Sequence, residues 1–181
     1  VFDECGNTVQ AEVVHFGNNP NPLTGLCPEG NEKLVCLAEV PDPDEDWVAS
    51  YYTGNGPVTA TLVNIIELGD ECVGFTVIHE YEVTDGCAVK ICKVFWEGID
   101  DRRPKGICPV GLTGLVCVSD IPAPDPDGIA ALYTDGCGPV TAVLINTIDD
   151  TDDCINFSRT YQYEITDPCG NAAYCSVTHS G

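Results

Sequence analysis

Phe75-Thr76-Val77-Ile78-His79-Glu80-Tyr81, preceded by Val58-Thr59-Ala60-Thr61-Leu62-Val63, sets the fold class. Both runs are short, rich in β-branched and aromatic residues, and bounded by Gly, Pro, Asn or Asp, as strands ended by turns are. No long stretch repeats apolar residues at helical spacing, and 18 Gly and 13 Pro are spread along the chain. The chain reads as all-β: two tandem immunoglobulin-like antiparallel β-sandwich modules plus an extra N-terminal β-strand.

The tandem count comes from an internal repeat, which fixes the fold unit. Gly25-Leu26-Cys27-Pro28 returns as Gly106-Ile107-Cys108-Pro109, and Leu34-Val35-Cys36 as Leu115-Val116-Cys117, both 81 residues on. Gly56-Pro57-Val58-Thr59-Ala60 returns as Gly138-Pro139-Val140-Thr141-Ala142, 82 residues on, so one residue is inserted between. Cys72, Phe75, Tyr81 and Asp85 map at the longer shift onto Cys154, Phe157, Tyr163 and Asp167. A further motif occurs three times, opening at Val1-Phe2-Asp3-Glu4-Cys5-Gly6-Asn7, at Val83-Thr84-Asp85-Gly86-Cys87 and at Ile165-Thr166-Asp167-Pro168-Cys169-Gly170-Asn171. The predicted layout is a strand segment at 1–17, a first module at 18–98, a linker at 99–107 and a second module at 108–181. Residues 1–17 then form a strand without a body of its own, and an unpaired strand favours pairing with another chain. Val1, Phe2, Val9, Val13 and His15 are the candidate assembly residues of this donor strand.

Twelve cysteines recurring at matching positions suit a disulfide framework and an oxidising, extracellular compartment. Zinc is the rival, but the nearest pairs lack two-residue spacing, and only Cys175 has a close His, His179. Local pairing is the simplest proposal: Cys27 with Cys36, Cys108 with Cys117, Cys87 with Cys92, and Cys169 with Cys175. Cys137 is expected to pair with Cys154; the first module has Asn55 in place of Cys137 and Ala11 in place of Cys175, which leaves Cys72 and Cys5 over. These two are expected to bond to each other, within one chain or across two.

Seven basic against 29 acidic residues give a formal net charge of -22. Phosphate backbones and anionic lipid surfaces are repelled by such a chain, so no nucleic acid and no membrane insertion is expected. The basic cluster Arg102-Arg103-Pro104-Lys105 either meets an acidic face of a neighbouring module or is a solvated linker, and the linker is preferred. The chain has no Met, as expected of a processed or excised product, and no signal peptide or membrane span is read in it. Acidic loops offer hard oxygen ligands for Ca²⁺, with Asp42, Asp44, Asp125 and Asp127 as candidates; no EF-hand loop is present, and no other cofactor is expected. Asn156-Phe157-Ser158 is a glycosylation sequon at Asn156.

No catalytic constellation is found, and the chain is expected not to be an enzyme. His15 and His179 share a repeat position that holds Trp96 in the middle copy, and His79 corresponds to Tyr161, so these rings read as packing groups. Ser50, Ser119 and Ser158 lack a His and Asp pattern. Trp47, Tyr51 and Tyr52 are candidates for an exposed contact set, with packing against the adjacent Pro-rich loop preferred.

The order Cys-Pro, Ile121-Pro122-Ala123-Pro124-Asp125, Cys137-Gly138, Arg159-Thr160-Tyr161 and Thr166-Asp167-Pro168-Cys169-Gly170-Asn171 resembles the hyalin-repeat-like, immunoglobulin-like modules of secreted and cell-surface proteins of Bacteroidota. The first module departs from the pattern at Asn55, Ala88 and Val77-Ile78-His79. The resemblance covers nearly the whole chain and implies a β-sandwich of adhesins and surface filaments, without a family active site. Two functions compete. One is a structural subunit of an extracellular filament or surface fibre, a homopolymer assembled head to tail by strand addition of residues 1–17. The other is an adhesive or spacer segment of a long tandem-repeat surface protein, with a glycan or cell-surface ligand as its further partner.

Overall fold

The computed structural model describes Gly17, residues 21–152 and residues 156–181. Among them one order of elements occurs twice. The first half runs β1 (Thr24–Gly25), a 3-10 turn (Leu37–Glu39), α1 (Glu45–Ala49), β2 (Tyr52–Thr53), β3 (Thr59–Asp70), β4 (Gly74–Thr84) and β5 (Val89–Gly98). The second runs β6 (Lys105–Gly106), a 3-10 turn (Val118–Asp120), α2 (Pro126–Ala130), β7 (Tyr133–Thr134), β8 (Thr141–Asp152), β9 (Asn156–Thr166) and β10 (Ala172–Ser180). The long strands form antiparallel meanders, β3-β4-β5 and β8-β9-β10, and the two-residue strands form the ribbons β1–β2 and β6–β7. The all-β, antiparallel class is as the sequence predicts.

The strand alternation decides what is inside. Along β4, Phe75, Val77, His79, Tyr81 and Val83 are buried while the residues between them face outward, as the two-residue period of a pleated strand requires. A register shift after Leu62 and another after Leu144 put a bulge at the same place in both edge strands, β3 and β8. Each sheet is covered on its inner face by its own helical turn and ribbon. Leu23, Val48, Tyr52, Tyr81, Val83, Cys92 and Val94 form one core, and Ile129, Tyr133, Tyr161, Tyr163, Ile165, Cys175 and Val177 form another. No residue belongs to both cores. Close backbone approach recurs as well: a Cβ on Gly30 would collide with the Phe95 carbonyl, and one on Gly111 with the Thr178 carbonyl.

The outer faces differ. In the first half Ile66, Ile78 and Phe95 lie side by side across the three strands, and Phe95 is exposed. In the second half the same row reads Ile148, Thr160 and Thr178, whose two threonine hydroxyls are 2.8 Å apart and hydrogen-bonded.

The expected linker at 99–107 is not a free tether. Lys105–Gly106 is β6 and pairs with β7, because a short extended pair here satisfies backbone groups at the start of the second half. Arg102 is exposed, and its Nη2 lies 3.2 Å from Glu39 Oε1 in the first half.

Candidate functional site at the junction of the two halves

Asp70, at the end of β3, accepts hydrogen bonds from the Cys72 and Val73 amides at 2.9 and 3.1 Å, and this turn holds Cys72 at the tip of the β3–β4 hairpin. Opposite it, Asp167 and Asn171 shape the β9–β10 turn that carries Cys169: the Asn171 amide donates to Asp167 Oδ1 and its Nδ2 to Asp167 Oδ2, both at 2.9 Å. Cys72 and Cys169 form a disulfide with a Cα–Cα distance of 4.8 Å. A second one joins Cys36, which opens the first 3-10 turn, to Cys137 in the β7–β8 loop, at 5.1 Å. Both bonds run from the first half to the second. Two others stay inside the halves at matching positions, Cys27–Cys92 and Cys108–Cys175, each with a Cα–Cα distance of 5.4 Å.

These bonds correct the expected pairing. Cys92 and Cys175 sit in strands β5 and β10 with their side chains in the cores. Cys87 lies in the β4–β5 turn and Cys169 in the β9–β10 turn, while Cys92 and Cys175 are each the fourth residue of the extended strand that follows, about 10 Å along it from its start, so neither pair is joined. Their partners come instead from segments packed beside the strand, Cys27 and Cys108. Cys72 bonds to Cys169, not to Cys5, and Cys137 bonds to Cys36, not to Cys154. Cys5 and Cys154 lie outside the described residues, as do Val1, Phe2, Val9, Val13 and His15. Cys87 and Cys117, both expected in disulfides, are free and exposed.

Their identity in the repeat is the informative part. Cys117 stands where Cys36 stands, and Cys87 where Cys169 stands. Each free thiol is thus the counterpart of one member of a cross-link between the halves, presented on the same scaffold. The Cys117 amide donates to Asp120 Oδ2 at 3.0 Å in the second 3-10 turn, and the Cys87 amide to Asp85 Oδ1 at 2.9 Å in the β4–β5 turn.

Polar contacts complete the junction. The Asp100 amide donates to the Glu71 carbonyl at 2.7 Å, and Asn171 Nδ2 donates to the Asp100 carbonyl at 3.0 Å. Glu71 Oε1 accepts from the Leu37 amide at 2.6 Å. Asp100 is buried, and that burial, with the charges of Asp135, Asp167 and Glu71 around it, holds its carboxyl above the usual aspartate range. A cleft of about 290 Å³ beside it is lined by Glu39, Arg102, Lys105 and Asp135.

The other sequence candidates fall elsewhere. Asp44 and Asp125 cap α1 and α2, their Oδ1 atoms accepting from Trp47 and Gly128 amides at 2.8 and 2.9 Å, so these oxygens serve the helices. Asp42 and Asp127 are exposed; among the described residues Asp100 lies close to Asp167 and Cys169 and, in a separate group, to Asp135 and Cys137. The signal for the helical turns is present in the chain as an Asp cap, with Pro126 in the first turn of α2. His79 and His179 are buried: His79 packs on Tyr81 and Trp96, and His179 on Tyr161 while its Nδ1 accepts from the Leu112 amide at 3.1 Å. Desolvation holds His79 below the usual histidine range. Tyr52 belongs to the core, Trp47 packs against Trp96 and Tyr51, and Tyr51 is exposed. Asn156 opens β9 with its side chain exposed.

No family model matches the chain, and no curated protein does. Solved structures that match it include the endo-fucoidan hydrolase MfFcnA4 from glycoside hydrolase family 107 and a variant of that enzyme, each with a TM-score of 0.34 and 9% identity, over 98% of this chain and 32% of the hydrolase. The chain spans about a third of those proteins' length. Since the matched structures are enzymes, the expectation that this chain is not one is withdrawn. At that TM-score the likeness carries no argument for any particular activity. Among the described residues four disulfides fit the secreted setting expected from the cysteines, and no helix is long and apolar enough to cross a membrane.

Proposed function

We propose that the protein is a structural subunit of an extracellular filament, in which immunoglobulin-like halves are joined end to end by a disulfide equivalent to Cys72–Cys169, one of the two that join the halves within the chain. The observation that carries this reading is the exposed free thiol Cys87, at a position whose repeat counterpart, Cys169, is cross-linked to Cys72 of the neighbouring half. Within the chain the cysteine of a hairpin tip, Cys72, bonds to the following half. A preceding copy offers Cys154 at the matching sequence position, for Cys87 of the next copy. Forming that bond by exchange with a small disulfide transfers two electrons and both thiol protons to it, leaving two small thiols. Residues 1–17 are the donor strand in this reading, and apart from Gly17 they lie outside the described residues.

One observation favours a second reading, a spacer segment of a longer tandem protein. Cys117 needs a cysteine at the Cys137 position of the next unit, and the first half of a copy has Asn55 there. In a homopolymer Cys117 stays reduced; in a longer array with a cysteine-bearing next unit it is bonded.

The test is electron microscopy of native, unreduced material with disulfide mapping by non-reducing peptide mass spectrometry. Uniform fibres with Cys87 in an intermolecular bond and Cys117 alkylatable support the filament. Isolated two-lobed particles with both thiols alkylatable reject it, and Cys117 bonded to a peptide foreign to this chain selects the tandem array.

A further inference from the structure

Trp47 and Trp96 are the two tryptophans of the chain, and both line one cavity in the first half. Trp47 stands on α1 and Trp96 on β5; their ring centroids are 6.4 Å apart and their planes 34° from parallel. His79 and Tyr81, buried on β4, extend the aromatic wall, with the His79 ring 6.1 Å from Trp96 and 6.4 Å from Tyr81. The cavity holds about 260 Å³, which suits a small headgroup better than a drug-sized molecule. Asp42 and Asp44, both exposed, line it as well, and among the described residues no basic side chain does.

The second half shows that the scaffold does not require these residues. At the corresponding places it has Ala123 for Asp42, Gly128 for Trp47, Tyr161 for His79 and His179 for Trp96. There the Tyr161 hydroxyl donates to the Pro122 carbonyl at 3.0 Å and His179 Nδ1 accepts from the Leu112 amide, so both rings are engaged within the fold. In the first half the four positions have changed together, and the result is a cup of aromatic faces with carboxylates beside it.

We propose that this cavity binds a quaternary ammonium group, its methyls against the rings of Trp47 and Trp96 and its charge balanced by Asp42 and Asp44. A cation over an aromatic face is attracted by the ring quadrupole, most strongly by that of Trp. The net charge of -22 adds to the attraction. A primary ammonium fits less well, because it is strongly hydrated and needs an acceptor for each N–H. One of the oxygens here, Asp44 Oδ1, already accepts from the Trp47 amide. Trp96 Nε1 is buried without a partner among the described residues, so Trp96 offers a ligand its ring and not its N–H, which disfavours a hydroxyl-rich ligand. Desolvation keeps His79 below the usual histidine range, so no imidazolium opposes the cation at neutral pH. Binding here does not depend on whether copies of the chain join.

Because both tryptophans line the cavity, intrinsic fluorescence reads it directly. The test is a fluorescence titration of the disulfide-intact full chain with choline chloride at constant ionic strength, repeated with a peptide carrying trimethyllysine. A saturable change is expected, and the tighter of the two probes identifies the source of the ammonium as a free headgroup or a modified protein side chain. 3,3-Dimethylbutan-1-ol, the uncharged isostere of choline, is expected to bind about thirtyfold more weakly, the fold-change of a desolvated cation–π contact. Trp47→Leu weakens choline binding by a similar factor. Asp42→Asn, at an exposed position, weakens it by about threefold even if the first variant folds poorly. No saturable response to either ammonium overturns the proposal, and so does equal affinity for the uncharged isostere or an affinity that neither variant changes. Ethanolamine bound as tightly as choline overturns the choice of a quaternary ammonium.

Discussion

The loop Gly54-Asn55-Gly56 and its counterpart Asp135-Gly136-Cys137-Gly138 divide the two halves more sharply than any difference in their strands. In the first half the Asn55 amide folds back onto Asp85 at 3.0 Å, and the loop satisfies its own turn. In the second half the longer loop faces outward to the neighbour: Cys137 bonds to Cys36, and Asp135 faces Asp100. One scaffold therefore supports a self-contained end and a docked end, and the choice is made by one inserted residue and one Asn in place of Cys. The strands beneath, with bulges at matching places and separate cores, do not change with the choice.

The strongest way to break this comparison is to undock the halves. The cross-links close sequence separations of 101 and 97 residues. A loop of that length corresponds to about 4–5 kcal/mol for the first bond closed, in the chain-entropy description. Cys36→Ser with Cys72→Ser is expected to lower stability by that order in denaturant unfolding, and the two halves then unfold as separate transitions. A single transition at the native midpoint would show that the bonds do not join the halves energetically.

Next in size is a core truncation confined to one half. Ile165 is fully buried, so Ile165→Ala should cost about 2–5 kcal/mol. Amide exchange should speed up in β8, β9 and β10 while β3, β4 and β5 keep their protection. Loss of protection in both sheets would mean one shared cooperative unit.

A smaller effect separates the two turns by pH. The amides of Asn55, Cys87 and Ala88, in that order, hold the Asp85 carboxyl below the usual aspartate range. Its folded value lies under its unfolded one, so its contribution is complete above the ordinary aspartate range and is lost as pH falls through the depressed folded value. Asp85→Asn should lower the unfolding midpoint at neutral pH and flatten the acid limb of the profile. An acid limb as steep as the native one assigns that loss to other groups. Smallest is the outer face: Phe95→Thr, which copies the second half, is expected to change stability by no more than about 0.5 kcal/mol in denaturant unfolding. A larger loss would show that the apolar row packs more than its exposure indicates.

The strands are legible in the chain because burial writes alternation directly into Phe75 to Tyr81, and the repeat carries that reading to the second half. Lys105–Gly106, read as linker, pairs with β7, and a two-residue strand leaves no periodic trace in the sequence. Disulfide partners are not legible in the same way. Proximity in sequence misleads, because Cys87 lies in a turn and Cys92 points into the core from the strand after it, and the true partners depend on which segments meet in space. A hint exists in the count: Cys137 lacks a counterpart and Cys72 lacks a partner in its own half, and each of the two is bonded to a cysteine of the other half, Cys36 and Cys169. The acids at Asp100, Asp135 and Asp167 come from three distant segments and carry no local spacing to reveal them.

The two cross-links also change what a cut in the backbone means. Cys36 and Cys72 precede the crossover and Cys137 and Cys169 follow it, so both bonds bypass residues 99–104. A protease that nicks the chain there releases nothing: the pieces migrate together until a reductant is added. Pulling on the ends loads the covalent bridges before the crossover feels tension, so the thinnest part of the polypeptide is the part that bears least.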